Sequence, residues 1–254
     1  MQSEQIKLLN HGFVRMVDSM GDDLSISRNA RVSYDAEWRA GEDSGSDSRL
    51  ISYLKANGHN TPFESVVFTF DVKAPIFVFR QWHRHRTQSY NELSARYREL
   101  PEEFYEPEPH LVGKQNKDNK QMRDPLTKEE YEALPLTDRE HTELMLRIKK
   151  EANVTSFKAY KRQLEMGMPR ELARGCLPFD TYSHMFTTVN LHNLFHFLGE
   201  RLHTHAQYEI RVYAEAILEL IRDVVPVAVA AFESSKDTWE AFEAFKKEMK
   251  KNEN

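Results

Sequence analysis

A single cysteine, Cys176, is all that the 254 residues hold, so no disulfide framework within the chain can staple the fold, and the sequence reads as that of a cytoplasmic protein kept reduced. Long apolar runs are also missing. The strongest, Val224 to Phe232, spans nine residues and includes Pro226, whereas a membrane helix needs about 20. The opening residues, Met1 to Asn10, have neither the basic start nor the apolar core of a secretory leader. Net charge is scarce: 35 Lys and Arg against 40 Asp and Glu leave −5, too little field to hold the chain on nucleic acid or an anionic membrane. The nine glycines are scattered and no segment repeats, which excludes solenoids and propellers. Neither a GxGxxG turn, nor a P-loop, nor alternation of strand and helix is present, so a nucleotide here is not held in the Rossmann manner.

What is present is an ordinary globular pattern, 40% hydrophobic and 11% aromatic, enough for one sizeable core. Alternation predicts strands from Gly12 to Met20, Val66 to Val72 and Tyr182 to Val189. Helical spacing predicts helices from Leu24 to Ser33, Asp47 to Asn57, Ile76 to about His85, Asp138 to Met166, Asn190 to Gly199 and Ala206 to Val224. Met145, Ile148, Ala152 and Ala159 share one face of the long helix. Between Pro101 and Pro135 the apolar content collapses, so residues 101–135 read as a surface insertion with one short helix from Lys128 to Ala133. The tail, 236–254, is amphipathic through Trp239, Phe242 and Phe245. The expected class is α+β, an antiparallel sheet flanked by helices, in a single domain covering 1–254.

Charge is concentrated in one place. Arg80, Arg84, Arg86, Arg96 and Arg98 face a single acid, Glu92, within that stretch, and guanidinium groups favour planar bidentate partners such as phosphate or a pyrimidine edge. A solvated basic face or a nucleic-acid-binding module has the same composition. Ser94 is open to three readings, a nucleophile, a helix cap or a phosphate ligand; no nearby histidine or aspartate is placed to activate it. Cys176 sits in an apolar context and reads as packing. His192, His196 and Glu200 recur every four residues, the spacing of a metal site on one helical face, which makes a metal-dependent hydrolase the alternative function.

The order of residues goes further than composition. The string RHRTQSYNELSARY, from Arg84 to Tyr97, resembles the signature of the flavin-dependent thymidylate synthases. GHNTPFE from Gly58, VKAPIFVFRQW from Val72, RNARVS ending at Ser33, ARGCLP from Ala173 and NLHNLFHFLGERLHTHAQYEI from Asn190 are similar to that family's segments in the same order. The resemblance implies reductive methylation of dUMP to dTMP, with methylenetetrahydrofolate as one-carbon donor, FAD as redox cofactor, NADPH as reductant and no enzyme nucleophile. It assigns catalysis to Arg201, Arg84 and Ser94. It implies dUMP contacts from Gln81, Arg84, Glu92, Ser94, Ala95, Arg96, Arg174 and Arg201. FAD contacts are implied for Ser33, His59, Thr61, Glu64, Arg84, His85, Arg86, Asn91, Glu92, Asn190, His192, His196 and His205. The family commonly has arginine and asparagine where this chain has His192 and His196. No metal or nucleic acid is implied, and the assembly implied is a homotetramer with sites between subunits.

Overall fold

The computed structural model describes residues 5–235; the tail positions Trp239, Phe242 and Phe245 lie outside them. Its centre is a five-stranded, wholly antiparallel sheet of β1 (Ile6–Leu8), β2 (Gly12–Met20), β3 (Val67–Pro75), β4 (Ser89–Glu92) and β7 (Tyr182–Asn190), in the order β1-β2-β3-β7-β4. β3 and β7 pair without interruption from Val67 opposite Asn190 to Pro75 opposite Tyr182. Side chains alternate across this ladder, so Phe68, Phe70, Val72, Met185 and Val189 enter the core. The opposite face carries Asp71, buried between Arg15 (Nε to Oδ2, 2.8 Å) and His184.

The helices are α1 (Asp23–Arg31), α2 (Ser44–Ala56), α3 (Ile76–Trp82), α4 (Lys128–Glu132), α5 (Leu136–Glu165), α6 (Arg170–Ala173), α7 (Leu191–Arg201) and α8 (Tyr208–Arg222). Residues 226–235 are also helical. α1 opens with a capping box between Asp22 and Ser25. α2 begins three residues earlier than the spacing predicts, because the Asp43 carboxylate accepts from the amides of Gly45 and Ser46. α3 stops at Trp82, short of the expected His85, so Arg84 and Arg86 project from a turn and not from a helix end. α3, α7 and α8 cover one face of the sheet. Trp82 is stacked on Phe197 at 4.8 Å between centroids and meets Tyr213 edge-on at 6.2 Å.

Two expectations change. The face of α5 that bears Met145, Ile148, Ala152 and Ala159 is exposed in the single chain; the helix instead buries Phe157 and Tyr160 against Phe104 and Ala173, and Asn153, which donates to Asp180 at 2.9 Å. The stretch 101–135 is not all surface. Phe104 and Tyr105 are buried, Phe104 bridges to Thr181, and the short strands β5 (Lys114–Gln115) and β6 (Arg123–Asp124) pair with each other. Isolated aromatics in polar sequence give no periodic signal, so this anchoring was invisible to pattern.

Candidate functional site

α7 shapes the main cavity, of about 720 Å³, within the range of small-molecule sites. Asn190 caps the helix by accepting from the Asn193 backbone amide at 2.9 Å, and the four-residue repeat then brings His192, His196 and Glu200 to the cavity wall, joined by Arg201, His203 and His205. Phe195 and Phe232 stack at 4.7 Å, and the Lys55 ammonium lies over both rings, 5.2 and 5.6 Å from their centroids. Burial lowers the Lys55 pKa. Lys55 was not singled out from the sequence, since one lysine on an amphipathic helix carries no pattern.

Arg201 organises the adjoining wall. Its Nε donates to His85 Nε2 at 3.0 Å and its Nη2 to the Gln81 carbonyl at 3.2 Å, leaving its remaining N–H bonds for a ligand. His85 also meets Phe197 edge-on at 4.9 Å and His196 at 6.0 Å. Burial, then the charge of Arg201 and the presence of His196, pull the His85 pKa down to about 4. The imidazole is therefore neutral at pH 7, with Nε2 as acceptor. Below its ordinary value near 6.5 the unfolded chain takes a proton that the folded chain refuses, so this group removes stability as the pH falls from about 6.5 to about 4. His85→Gln, having nothing to titrate, should flatten that part of the curve. Thermal midpoints measured across the window for both proteins check this; equal slopes would count against it.

The other residues expected at the site fall into two sets. Arg84 and Arg86 are exposed in the turn after α3, and make no ion pair among the described residues. His59 follows Gly58, whose φ of +68° sets the turn, and is exposed beside the ring of Tyr53 at 5.9 Å. Thr61 and Glu64 are exposed on a 3-10 turn next to Asn60, which lines the cavity. Ser33 is exposed on the 3-10 turn after α1. A second centre forms after β4, which holds Asn91 and Glu92. The Ser183 hydroxyl donates to Glu92 at 2.7 Å, Ser94 Oγ accepts from the Arg96 amide at 3.2 Å, Ala95 is buried, and Arg96 pairs with Glu171 at 3.3 Å. Glu171 belongs to α6, directly before Arg174, which is exposed and without an ion pair among the described residues.

Neither nucleophile nor metal finds support. Cys176 is half-buried, and its sulfur accepts from Gln163 Nε2 at 2.9 Å. Among the described residues no three His, Cys, Asp or Glu side chains gather as a metal site, so the spacing of His192, His196 and Glu200 reflects a shared helical face.

Residues 15–227 match the model of the family described as thymidylate synthase complementing protein. The chain belongs to this family. It is 48% identical over 228 residues to a flavin-dependent thymidylate synthase of Thermus thermophilus, covering 90% of this chain and 78% of that one. It is 42% identical over 249 residues to the enzyme of the same name from Treponema denticola, covering 98% and 89%. Among solved structures, the UMP/dUMP methylase PolB from Streptomyces cacaoi bound with 5-Br dUMP superposes with a TM-score of 0.77 at 36% identity, over 90% of this chain and 97% of that one. These matches leave the hydrolase reading without support, and the mixed helix and antiparallel-sheet architecture is similar to that of the methylase.

Proposed function

We propose that this chain is a cytoplasmic flavin-dependent thymidylate synthase, converting dUMP to dTMP with methylenetetrahydrofolate, FAD and NADPH, as a homotetramer with its sites between subunits. The observation that carries the reading is Arg201, fixed between His85 and Gln81 with donors to spare, beside the cavity of His192, His196 and His205.

The cavity suits a flavin dinucleotide by its donor set: a lysine ammonium and imidazoles for an anionic diphosphate, beside flat aromatic surface for a ring system. Lys55, His192, His196 and His205 would hold FAD there. Ser33, His59, Thr61 and Glu64 would approach it from neighbouring turns, Asn91 from β4 and Asn190 from the end of β7, with Arg84, His85, Arg86 and Glu92 between it and the nucleotide. Once reduced by NADPH, bound FAD would supply the hydride that completes the methyl group. No described helix is long and apolar enough to cross a membrane.

The protein's own part is electrostatic. Uracil is a weak electrophile, and guanidinium donors aimed at its carbonyl oxygens stabilise the charge that develops when carbon 5 reacts. Arg201 and Arg84 are assigned that role. His85, neutral beside Arg201, orients the guanidinium without adding a second charge. Ser94, Ala95, Arg96 and Arg174 would hold the phosphate. Ser94 Oγ makes no hydrogen bond to a histidine or carboxylate among the described residues, which favours phosphate contact over nucleophilic attack. The two centres, and the apolar face of α5 left exposed, support subunits that complete one another's sites.

Purified protein reconstituted with FAD should show flavin absorbance, and with folate and NADPH it should release tritium from dUMP labelled at carbon 5. Absence of both signals would overturn the reading.

A further inference from the structure

The short edge strand β4 brings Tyr90 to the turn that follows α3. The Tyr90 ring meets His83 edge-on at 4.8 Å. Its hydroxyl donates to the His85 carbonyl at 2.6 Å and to the Trp82 carbonyl at 3.1 Å. The same turn is tied again at Gln88, whose Oε1 accepts from Trp82 Nε1 at 3.2 Å and from the Thr187 hydroxyl on β7 at 3.1 Å. The turn is thus clamped to the sheet edge although Arg84, Arg86 and Thr87 are exposed on it.

From this clamp a line of contacts leads to the cavity. His85 is buried in the middle of the turn, between two exposed arginines. Its carbonyl is held by Tyr90, its Nε2 accepts from Arg201 Nε at 3.0 Å, and Arg201 lines the cavity. Phe197, edge-on at 4.9 Å, limits the imidazole on one side, so movement of the His85 backbone is passed on to the guanidinium. Burial pushes the Tyr90 phenol up to about 12. It therefore stays a donor at working pH, and a backbone carbonyl only accepts, which fixes the direction of the bond. Phenylalanine would fill the same space beside His83 and leave both carbonyls without this donor.

We infer that Tyr90 is a positioning residue for the nucleotide: its hydroxyl fixes the backbone of His85, His85 fixes the guanidinium of Arg201, and dUMP affinity depends on that line staying rigid. A guanidinium fork is effective only while its N–H bonds stay aimed at the acceptor, and a displacement of about 0.5 Å in a supporting group is enough to weaken a site. Tyr90 acts through His85 and is assigned no contact with dUMP or flavin. The inference rests on the reading of Arg201 as a dUMP contact.

The test compares two variants that each lose one phenolic oxygen. Tyr90→Phe removes the hold on His85. Tyr213→Phe removes an equivalent bond, from a buried hydroxyl to the Lys73 carbonyl at 2.7 Å, which holds strand β3 and not the turn. Both should lower the thermal midpoint by roughly 2–4 °C, the scale for one hydrogen bond in a chain of this size. Only Tyr90→Phe should weaken dUMP binding to FAD-saturated protein, by about tenfold, the scale of one misdirected hydrogen bond to a charged group. In that variant alone the His85 titration, followed by NMR, should move upward from about 4, as the imidazole gains water and loses its place beside Arg201. An unchanged dUMP affinity in Tyr90→Phe, or an equal loss in both variants, overturns the inference. A lowered affinity with the His85 titration unmoved breaks the line at His85 and overturns it too. Wild type that binds no dUMP overturns the functional reading and the inference with it.

Discussion

Arg201→Ala should weaken dUMP binding by about 2 kcal/mol or more, roughly thirtyfold, the scale for removing one partner of a desolvated charged contact. Flavin should remain bound, because the cavity keeps Lys55, His192, His196 and His205. The same substitution has a second signature. The guanidinium is the largest cause, after burial, of the depressed His85 pKa, so the His85 titration should move upward in the variant. Calorimetry with dUMP and NMR titration of the imidazole read the two effects separately. Unchanged dUMP affinity would remove Arg201 from the site. A shifted His85 with unchanged affinity would leave it a purely structural neighbour.

The largest stability effect is expected from Phe197→Ala. Phe197 is fully buried, stacked on Trp82 at 4.8 Å and edge-on to His85 at 4.9 Å. Its removal deletes an aromatic side chain from a packed interior and leaves a void that Trp82 cannot fill without moving. The cost is about 3–5 kcal/mol, which lowers the thermal midpoint by roughly 10 °C in a chain of this size. Nucleotide affinity should fall as well, since Phe197 is one wall of the pocket that holds His85 against Arg201. A midpoint within about 2 °C of wild type would show that the contact is not part of the core's support. That margin is no larger than the shift expected for about 1 kcal/mol.

The elements that were legible in the sequence are those where one physical period runs long enough to be counted. β3 and β7 alternate between apolar and polar residues because one face of each is buried, and α8 repeats its apolar residues at helical spacing because one stripe packs on the sheet. β4 was not legible. Its four residues, Ser89 to Glu92, carry no apolar alternation, and they are extended because the edge of β7 offers unpaired backbone groups. The early start of α2 went unseen because Gly45 weakens the helical propensity that Asp43 then caps.

Among the residues proposed for the site the division follows chemistry. The arginine cluster and Ser94 could be found because several unusual residues crowd one short segment in a specific order. Lys55 is a common residue at an unremarked position, 177 residues before Phe232, whose ring it covers. Only packing shows that a lysine sits over two stacked rings.

By itself, then, the sequence determined the family, the reaction class and the residue types available for catalysis, because these are carried by local order along the chain. The tertiary structure alone decided which groups share a cavity and that His85 is neutral. Burial and the distance between charges set those states, and neither exists until segments remote in sequence have packed together.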